Sequence, residues 1–433
     1  MKKRGVEPRP TQTKVKHTIL ENYLKAWGGI IINGLNKRLR DLHLVYIDCN
    51  ASYGRFNGEL EDTLTYRQTQ PIFGSPIIGI KELDSLAGWA ETTYGVRVRT
   101  NSILFENDSQ IFAELKRSLE MAGLTARVRE TSDFFSLRNG EVSLLFKDST
   151  SMASKLISYT QSGFTFSFFA LDPYGPKGIP LSFVGEIIRQ QRHDVIINFP
   201  YYDLHKKSGI VPRQNQTSVN EKLLNNYDAL FGNSEWQAIV RALDTDAIRE
   251  GQEALYRDAP ISDTTIEAQN LEIELMNCYE RSLLSADPDL TVKSIGLHFP
   301  DKERTIYYLY LTTHDPTGSL KMNEVLWNAG YQEHELRWGL MELRRRGDQL
   351  PLFEVAAPSP KTPQRASIED IAKQIYGLFR GKTITKKDIY TALADEPYFA
   401  REVDRALTQL KRQKLASFDN DKGINTLIAI SRG

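Results

Sequence analysis

Cysteine is scarce in this chain: Cys49 and Cys278 are the only two among 433 residues. Two cannot build a disulfide framework, a four-cysteine zinc site or a self-contained iron–sulfur cluster. No apolar run approaches the roughly 18 residues that a membrane helix needs, so no membrane span is expected. The seven histidines (His17, His43, His193, His205, His298, His314, His334) show neither an HExxH pattern nor paired spacing, and no metal site is expected from them. There is no GxxxxGK(S/T) phosphate loop and no GxSxG elbow. Net charge is absent too, with 55 Lys and Arg against 55 Asp and Glu. Internal repeats and low-complexity tracts are missing. The basic opening MKKRGVEPRPTQTKVKH has no apolar stretch behind it, so the expectation is no signal peptide and a reducing cytoplasm.

What is present has the proportions of a globular protein: 40% hydrophobic, 25% charged and 10% aromatic residues. At roughly 100–200 residues per domain, this length implies two to four domains. The balanced charge is unevenly spread. Residues 1–40 carry ten bases and two acids, and residues 361–433 carry fourteen bases and nine acids, so both ends are basic. Basic ends on a neutral chain can meet a polyanion or simply solubilise the termini.

A stripe of Ile19, Leu20, Tyr23, Leu24, Trp27, Ile30 and Ile31 predicts a helix in a basic N-terminal segment, residues 1–40. Short apolar runs then alternate with helical patterns. The runs are Leu42–Ile47, NSILFEND ending near Glu106, VSLLFKDS ending at Asp148, Phe164–Leu171 and Asp194–Phe199. This alternation predicts an α/β fold, a doubly wound, mostly parallel sheet with helices on both faces, over 41–330. Ser75 and Pro76 suit the start of a helix at 76–89. Residues 203–290 break the rhythm and read as a helical insertion. TVKSIGLHFP and RTIYYLYLTTHD then predict an antiparallel hairpin at the sheet edge. A helix and a proline-rich linker occupy 331–365. Three amphipathic helices and a small hairpin at 366–433 outline a winged helix-turn-helix.

Ligands of open parallel sheets sit beyond the carboxyl ends of the strands. Asp48, Glu106, Asp148 and Asp172 stand at predicted strand ends. A carboxylate there can accept from both hydroxyls of a ribose, and a loop containing glycine, here Asp48 to Gly54, lets backbone approach a ligand. Asp172-Pro173-Tyr174-Gly175 adds a carboxylate for an exocyclic amine, a fixed turn and an aromatic face for a planar base. Each of these residues also suits a plain turn or helix cap. Lys14, Lys16 and His17 in the first helix are candidates for holding phosphate, as are Arg401, Arg405, Lys411 and Arg412 in the last one.

TKVKHTILENYLKAW, YIDCNASYG, FGSPIIGI, LDPYG and IYYLYLTTH, in that order over roughly residues 11–330, resemble the three-Cys-motif partner proteins (TcmP). The resemblance implies a divergent class I, S-adenosylmethionine-dependent methyltransferase-like fold of the Rossmann-like kind. It also implies a partner, a radical-SAM-like protein that carries the three cysteines. It makes Asp48, Ala51, Gly54, Glu106 and Asp148 the cofactor-binding candidates, and Asp172, Pro173 and Tyr174 the catalytic ones. The family's first loop resembles Asp-Gly-Phe-Ala-Gly-Pro-Gly; here Cys49, Asn50 and Ser52 depart from it. A Cβ at Ser52 crowds a cofactor carboxylate if that position needs a positive φ. The amino-methyltransferase motif Asn/Asp-Pro-Pro-Tyr/Phe is one residue longer than the DPYG here.

Two functions follow. One is a methyltransferase acting on nucleic acid, DNA or RNA. The other is a catalytically degenerate nucleic-acid-binding adaptor for the same partner. A nuclease would instead need Asp48, Asp148 and Asp172 to converge on Mg²⁺.

Overall fold

The computed structural model describes residues 6–35, 39–58, 71–131, 134–207, 221–242, 263–299, 305–345, 365–419 and 423–431. The strands are β1 (Leu42–Asp48), β2 (Arg55–Phe56), β3 (Ile72–Phe73), β4 (Arg99–Glu106), β5 (Val128–Glu130), β6 (Val142–Phe146), β7 (Phe164–Leu171), β8 (His193–Phe199), β9 (Thr291–His298) and β10 (Thr305–Thr313). Eight of them form one sheet in the order β5-β6-β4-β1-β7-β8-β10-β9. β5, β6, β4, β1, β7 and β8 run parallel, and β10 pairs antiparallel with both β8 and β9. The sheet is α/β and mostly parallel, and the hairpin expected at its edge is β9–β10. From β1 the chain first builds outward through β4 and β6. It then crosses back to β7 and β8, which places the reversal of strand order between β1 and β7.

The apolar runs are buried on both faces, as central parallel strands must be. Successive residues divide between two cores by the period of two. Val45, Ile47, Phe169 and Leu171 enter one core. Leu44, Tyr46, Phe168 and Ala170 enter the other.

Helix α1 (Thr11–Gly34) covers the second face, together with α2 (Ser75–Tyr94), α3 (Ser109–Met121) and α10 (Pro316–Arg345). Its buried residues Val15, Ile19, Tyr23, Trp27 and Ile31 recur every four positions, and Tyr23 and Trp27 meet the ring of Phe168. Each such side chain contributes roughly 1.5–3 kcal/mol when fully buried. Helix α1 is therefore part of the sheet's own core, not an appendage.

The other face is covered by α4 (Ala153–Thr160), α5 (Leu181–Ile188), α7 (Glu221–Phe231), α8 (Glu235–Ala242) and α9 (Asp263–Ala286), with α6 (Tyr201–Lys207) following β8. Tyr227, Phe231, Trp236 and Tyr279 pack with Phe199 and Tyr310 of the sheet. The helices expected as an insertion at 203–290 thus form a covering layer of the sheet. Residues 208–220 and 243–262 of that stretch lie outside the described residues.

Helix α10 runs unbroken through position 330, where the sequence pattern placed a boundary. Most of the proline-rich linker, 346–364, lies outside the described residues. Beyond it come α11 (Ile368–Phe379), β11 (Thr383–Thr385), α12 (Lys386–Ala392), α13 (Ala400–Arg412), β12 (Ala416–Ser417) and β13 (Leu427–Ile430). β11, β13 and β12 form a three-stranded antiparallel sheet, so the expected hairpin gains a strand from between the first two helices. Ser319 Oγ donates to the Ala394 carbonyl, and Asn323 Nδ2 to those of Glu396 and Tyr398, which seats this unit on α10.

Candidate functional site

Asp48 ends β1 with a fully buried carboxylate. It accepts from the Tyr46 hydroxyl at 3.0 Å, from the Asn50 backbone N–H at 3.2 Å and from the Ser75 hydroxyl. Burial raises its pKa to about 6, against the effect of these donors. Tyr46 lies two positions before Asp48 on the same face of β1, and Gly79 of α2 leaves room for its ring: a Cβ there would lie 2.2 Å from it. The expected cap at Ser75 is a correction. Gly74 is the N-cap residue of α2 and gives no side-chain cap, while the Ser75 side chain turns to Asp48.

Glu106, at the end of β4, holds the next part of the loop. Its Oε2 accepts from the Ser52 N–H at 3.1 Å, and its Oε1 accepts from those of Asn107 and Asp108, each at 2.8 Å. Burial raises its pKa against these bonds. Ser52 does adopt the left-handed backbone, with φ of 52°. Gly54 follows at φ of 69°, where a Cβ would lie 2.7 Å from Leu115 of α3. The glycine is thus demanded by packing within the protein.

Across the strand-order reversal stands the loop after β7. Asp172 Oδ2 accepts from Lys16 Nζ at 2.5 Å, and Oδ1 accepts from Asn198 Nδ2 at 2.5 Å. The Lys16 side chain is 14% exposed and that of Asp172 32%. Burial works against the Lys16 charge, but Asp172, with Tyr307 and Asp48, outweighs it and the ammonium pKa is raised. His17 is also buried; desolvation first, and the Lys16 charge second, hold its imidazole well below the usual value and keep it neutral. Tyr174 is 70% exposed, and its hydroxyl meets Ser52 Oγ at 2.7 Å, bridging the two loops.

Between these loops and α1 lies a cavity of about 420 Å³, lined among others by Lys16, His17, Asn50, Ser52, Asp172 and Tyr174. Glu7 reaches it from a strap in which Arg9 N–H donates to Gly58 and Asn57 N–H donates to Glu7. The volume falls in the range of small-molecule sites, roughly 300–1,000 Å³. Asn50 Oδ1 and His17 Nδ1 are buried and unpartnered among the described residues, and both side chains line the cavity. Unpaired buried acceptors beside a cationic Lys16 suit a ligand that carries hydroxyl or ammonium donors and a carboxylate. In size and in donor set, the cavity fits the adenosyl cofactor that the resemblance implies.

Of the cofactor candidates, Ala51 and Gly54 line the cavity; Asp48 and Glu106 lie beneath it and brace its loop. Asp148 does not reach it. That residue caps the short turn at Ser149–Met152, accepting from the Thr150 N–H at 2.9 Å. No group of three or more metal-binding side chains occurs among the described residues, so the convergence that a nuclease requires is not seen. Asp172 and Tyr174 line the cavity, and Pro173 is buried beneath the turn.

Lys16 and His17, candidates for holding phosphate at the site's mouth, are part of the cavity wall; Lys14, two positions earlier on α1, is not. On α13, Arg405 and Arg412 are exposed. Arg401 lies 3.4 Å from Glu324, and Lys411 donates to the Phe418 carbonyl. Sequence reasoning missed Asn198. Its signal was a single polar residue inside the apolar run VIINF, one position before the strand's last residue.

No family model matches the chain, and neither does any curated protein. Among solved structures, protein LPL1258 from Legionella pneumophila is 10% identical, with TM-score 0.39 over 75% of this chain and 93% of that one. An O-methyltransferase from Bacillus cereus in complex with SAH is 9% identical, with TM-score 0.30 over 72% and 84%. Cofactor-bound Rv0187 from MTB is 11% identical, with TM-score 0.28 over 68% and 79%. Similarities this remote assign no activity.

Proposed function

We propose that this chain is an S-adenosylmethionine-dependent, methyltransferase-like protein that acts on nucleic acid beside a three-cysteine-motif radical-SAM-like partner. The observation that carries the proposal is the cavity at the reversal of strand order, walled by the β1 loop on one side and by Asp172 and Tyr174 on the other. When bound, the cofactor supplies an electrophilic methyl group. Asn50 Oδ1 and the Lys16 ammonium are the groups that hold it. Asp48 and Glu106 keep the loop in shape, and the exposed Tyr174 ring offers a face to a planar base. The 366–433 unit serves as a winged helix-turn-helix that docks nucleic acid through Arg405 and Arg412 of α13.

Calorimetric titration with S-adenosylmethionine and S-adenosylhomocysteine tests this. Micromolar binding that is lost in Glu106→Ala, whose loop would no longer be held, is the expected result.

One set of contacts favours the adaptor instead. Both oxygens of Asp172 are taken by the protein's own side chains, and the Ser52–Tyr174 bridge spans the mouth. Silence from both ligands, with nucleic-acid binding retained, would establish that second function.

A further inference from the structure

The cavity offers little positive charge to a ligand that carries a carboxylate. Among the described residues that line it, Lys16 and Arg55 are the charged bases, and His17 is neutral. The Arg55 guanidinium is committed to α3. Its Nη1 donates to the Glu114 carbonyl and to Ser118 Oγ, and its Nη2 donates to the Glu114 carboxylate at 2.8 Å. Lys16 is left, and its ammonium is held by Asp172 Oδ2 at 2.5 Å. The anchor for an anionic group is thus taken by a carboxylate of the protein itself. A lysine has three donors, but two carboxylates on one buried ammonium sit as like charges within a few ångströms of each other.

The two members of the pair are not equally free to leave it. The Lys16 side chain is 14% exposed, and its ammonium lies 5.5 Å from the centre of the Tyr307 ring. Left unpaired, it would bear the desolvation penalty of a buried charge. The Asp172 side chain is 32% exposed and has a second partner, Asn198 Nδ2, on its other oxygen. Parted from Lys16, it keeps one hydrogen bond and access to water. An incoming carboxylate therefore displaces Asp172 and leaves Lys16 in place.

We infer that Asp172 competes with the ligand's carboxylate for Lys16, an autoinhibitory contact that binding must exchange. This rests on the adenosyl reading proposed above and assigns the regulation of that site. Exchange makes the cavity selective by charge: an adenosine without a carboxylate leaves the pair intact, and one with a carboxylate breaks it. Asp172 Oδ2 then becomes available to the cavity only after the ligand has entered.

The test is calorimetric titration of the full chain with two probes. S-adenosylhomocysteine carries a carboxylate; 5′-methylthioadenosine keeps the adenosine and the thioether but has no amino-acid end. The quantity read is the ratio of their affinities. Asp172→Asn is expected to shift it roughly tenfold or more toward S-adenosylhomocysteine, the size of a charge-assisted hydrogen bond. With Lys16→Gln also present, Asp172→Asn is expected to leave the ratio unchanged, because the competition acts through Lys16. Glu7→Gln removes an exposed carboxylate from the same lining and is expected to move the ratio by less than about threefold.

A ratio that Asp172→Asn does not move overturns the inference. So does a shift that persists with Lys16→Gln, or one that Glu7→Gln reproduces. If Asp172→Asn does not fold alone, its melting is followed with each probe present. Greater stabilisation by S-adenosylhomocysteine is the expected result, and equal effects overturn the inference.

The two readings fail differently. Binding of both probes with an unmoved ratio keeps the adenosyl site and removes the competition. Binding of S-adenosylhomocysteine only after Asp172→Asn upholds both, with the wild type held closed by its own side chain. No binding of either probe to any of these proteins removes both.

Discussion

The α/β body and the C-terminal unit handle their carboxylates in opposite ways. In the body, burial dominates: Asp48 is raised to about 6 and Asp194, which accepts from the Tyr23 hydroxyl at 2.6 Å, to about 7. In the C-terminal unit, burial of Glu402 is outweighed by Arg365 and the Phe399 N–H, so its pKa is lowered; Asp388 is lowered by the Thr385 hydroxyl and N–H. In the body the buried carboxyls are held by neutral hydroxyl and N–H donors, whereas in the C-terminal unit the buried Glu402 has a guanidinium partner, Arg365.

This contrast predicts pH responses of opposite sign. A carboxyl whose folded pKa is raised binds its proton more tightly in the folded state. The body's contribution from Asp48 and Asp194 is therefore complete below their unfolded values, near 3.8. It is lost as pH rises through about 6 and about 7. The loss is on the order of 3–4 kcal/mol for each group. Glu402 runs the other way, present above the unfolded value and lost as pH falls through the folded one. Calorimetric melting from about pH 2 to 8 should show the body losing stability as pH rises above 3.8 and the C-terminal unit losing it as pH falls below 4.5, and Asp48→Asn with Asp194→Asn should flatten the body's response. Parallel shifts would break the contrast.

Next in size is Asp172→Ala, which strands the buried Lys16 ammonium. A loss of about 3 kcal/mol is expected in denaturant unfolding, the low end for a broken buried pair because Asp172 is part-exposed. Lys16→Met together with Asp172→Ala should recover much of it, whereas an additive loss would show that the pair is not coupled.

Ser52→Gly comes third. It removes a side chain from a left-handed position, a gain of about 1 kcal/mol, less the exposed bond to Tyr174. The same change opens the mouth, so affinity for S-adenosylhomocysteine should rise; a fall would mean that the Ser52 hydroxyl itself holds the ligand.

The smallest effects on stability belong to Arg405→Ala and Arg412→Ala, within about 0.5 kcal/mol. Each should nonetheless lower the salt slope of nucleic-acid binding by about one. An unchanged slope would remove α13 from the interface.

Much of this was legible in the residues. Apolar runs, four of them with a carboxylate at the carboxyl end, located five of the sheet's parallel strands, because buried strands must be apolar on both faces. The hairpin β9–β10 followed from its short connection. Ser52 was marked as the place where a side chain would matter, and its backbone is left-handed.

What could not be read was pairing between distant segments. Nothing local in TKVKH says that Lys16 will be buried on Asp172, 156 positions away. Likewise, the polarity of 203–290 hid Tyr227, Phe231 and Trp236, whose burial depends on a sheet face formed elsewhere. Asp148 met the same local pattern as Asp172, but its strand ends at Phe146, and a turn rather than the cavity receives its carboxylate.

The most direct measurement is an experimental structure with S-adenosylhomocysteine. The account predicts ligand density in the cavity between Asn50 and Tyr174, with the Asp48 and Glu106 hydrogen bonds to the loop intact. Density for the ligand at another place, or an empty cavity with Ser52 still bridged to Tyr174 at saturating ligand, would contradict it.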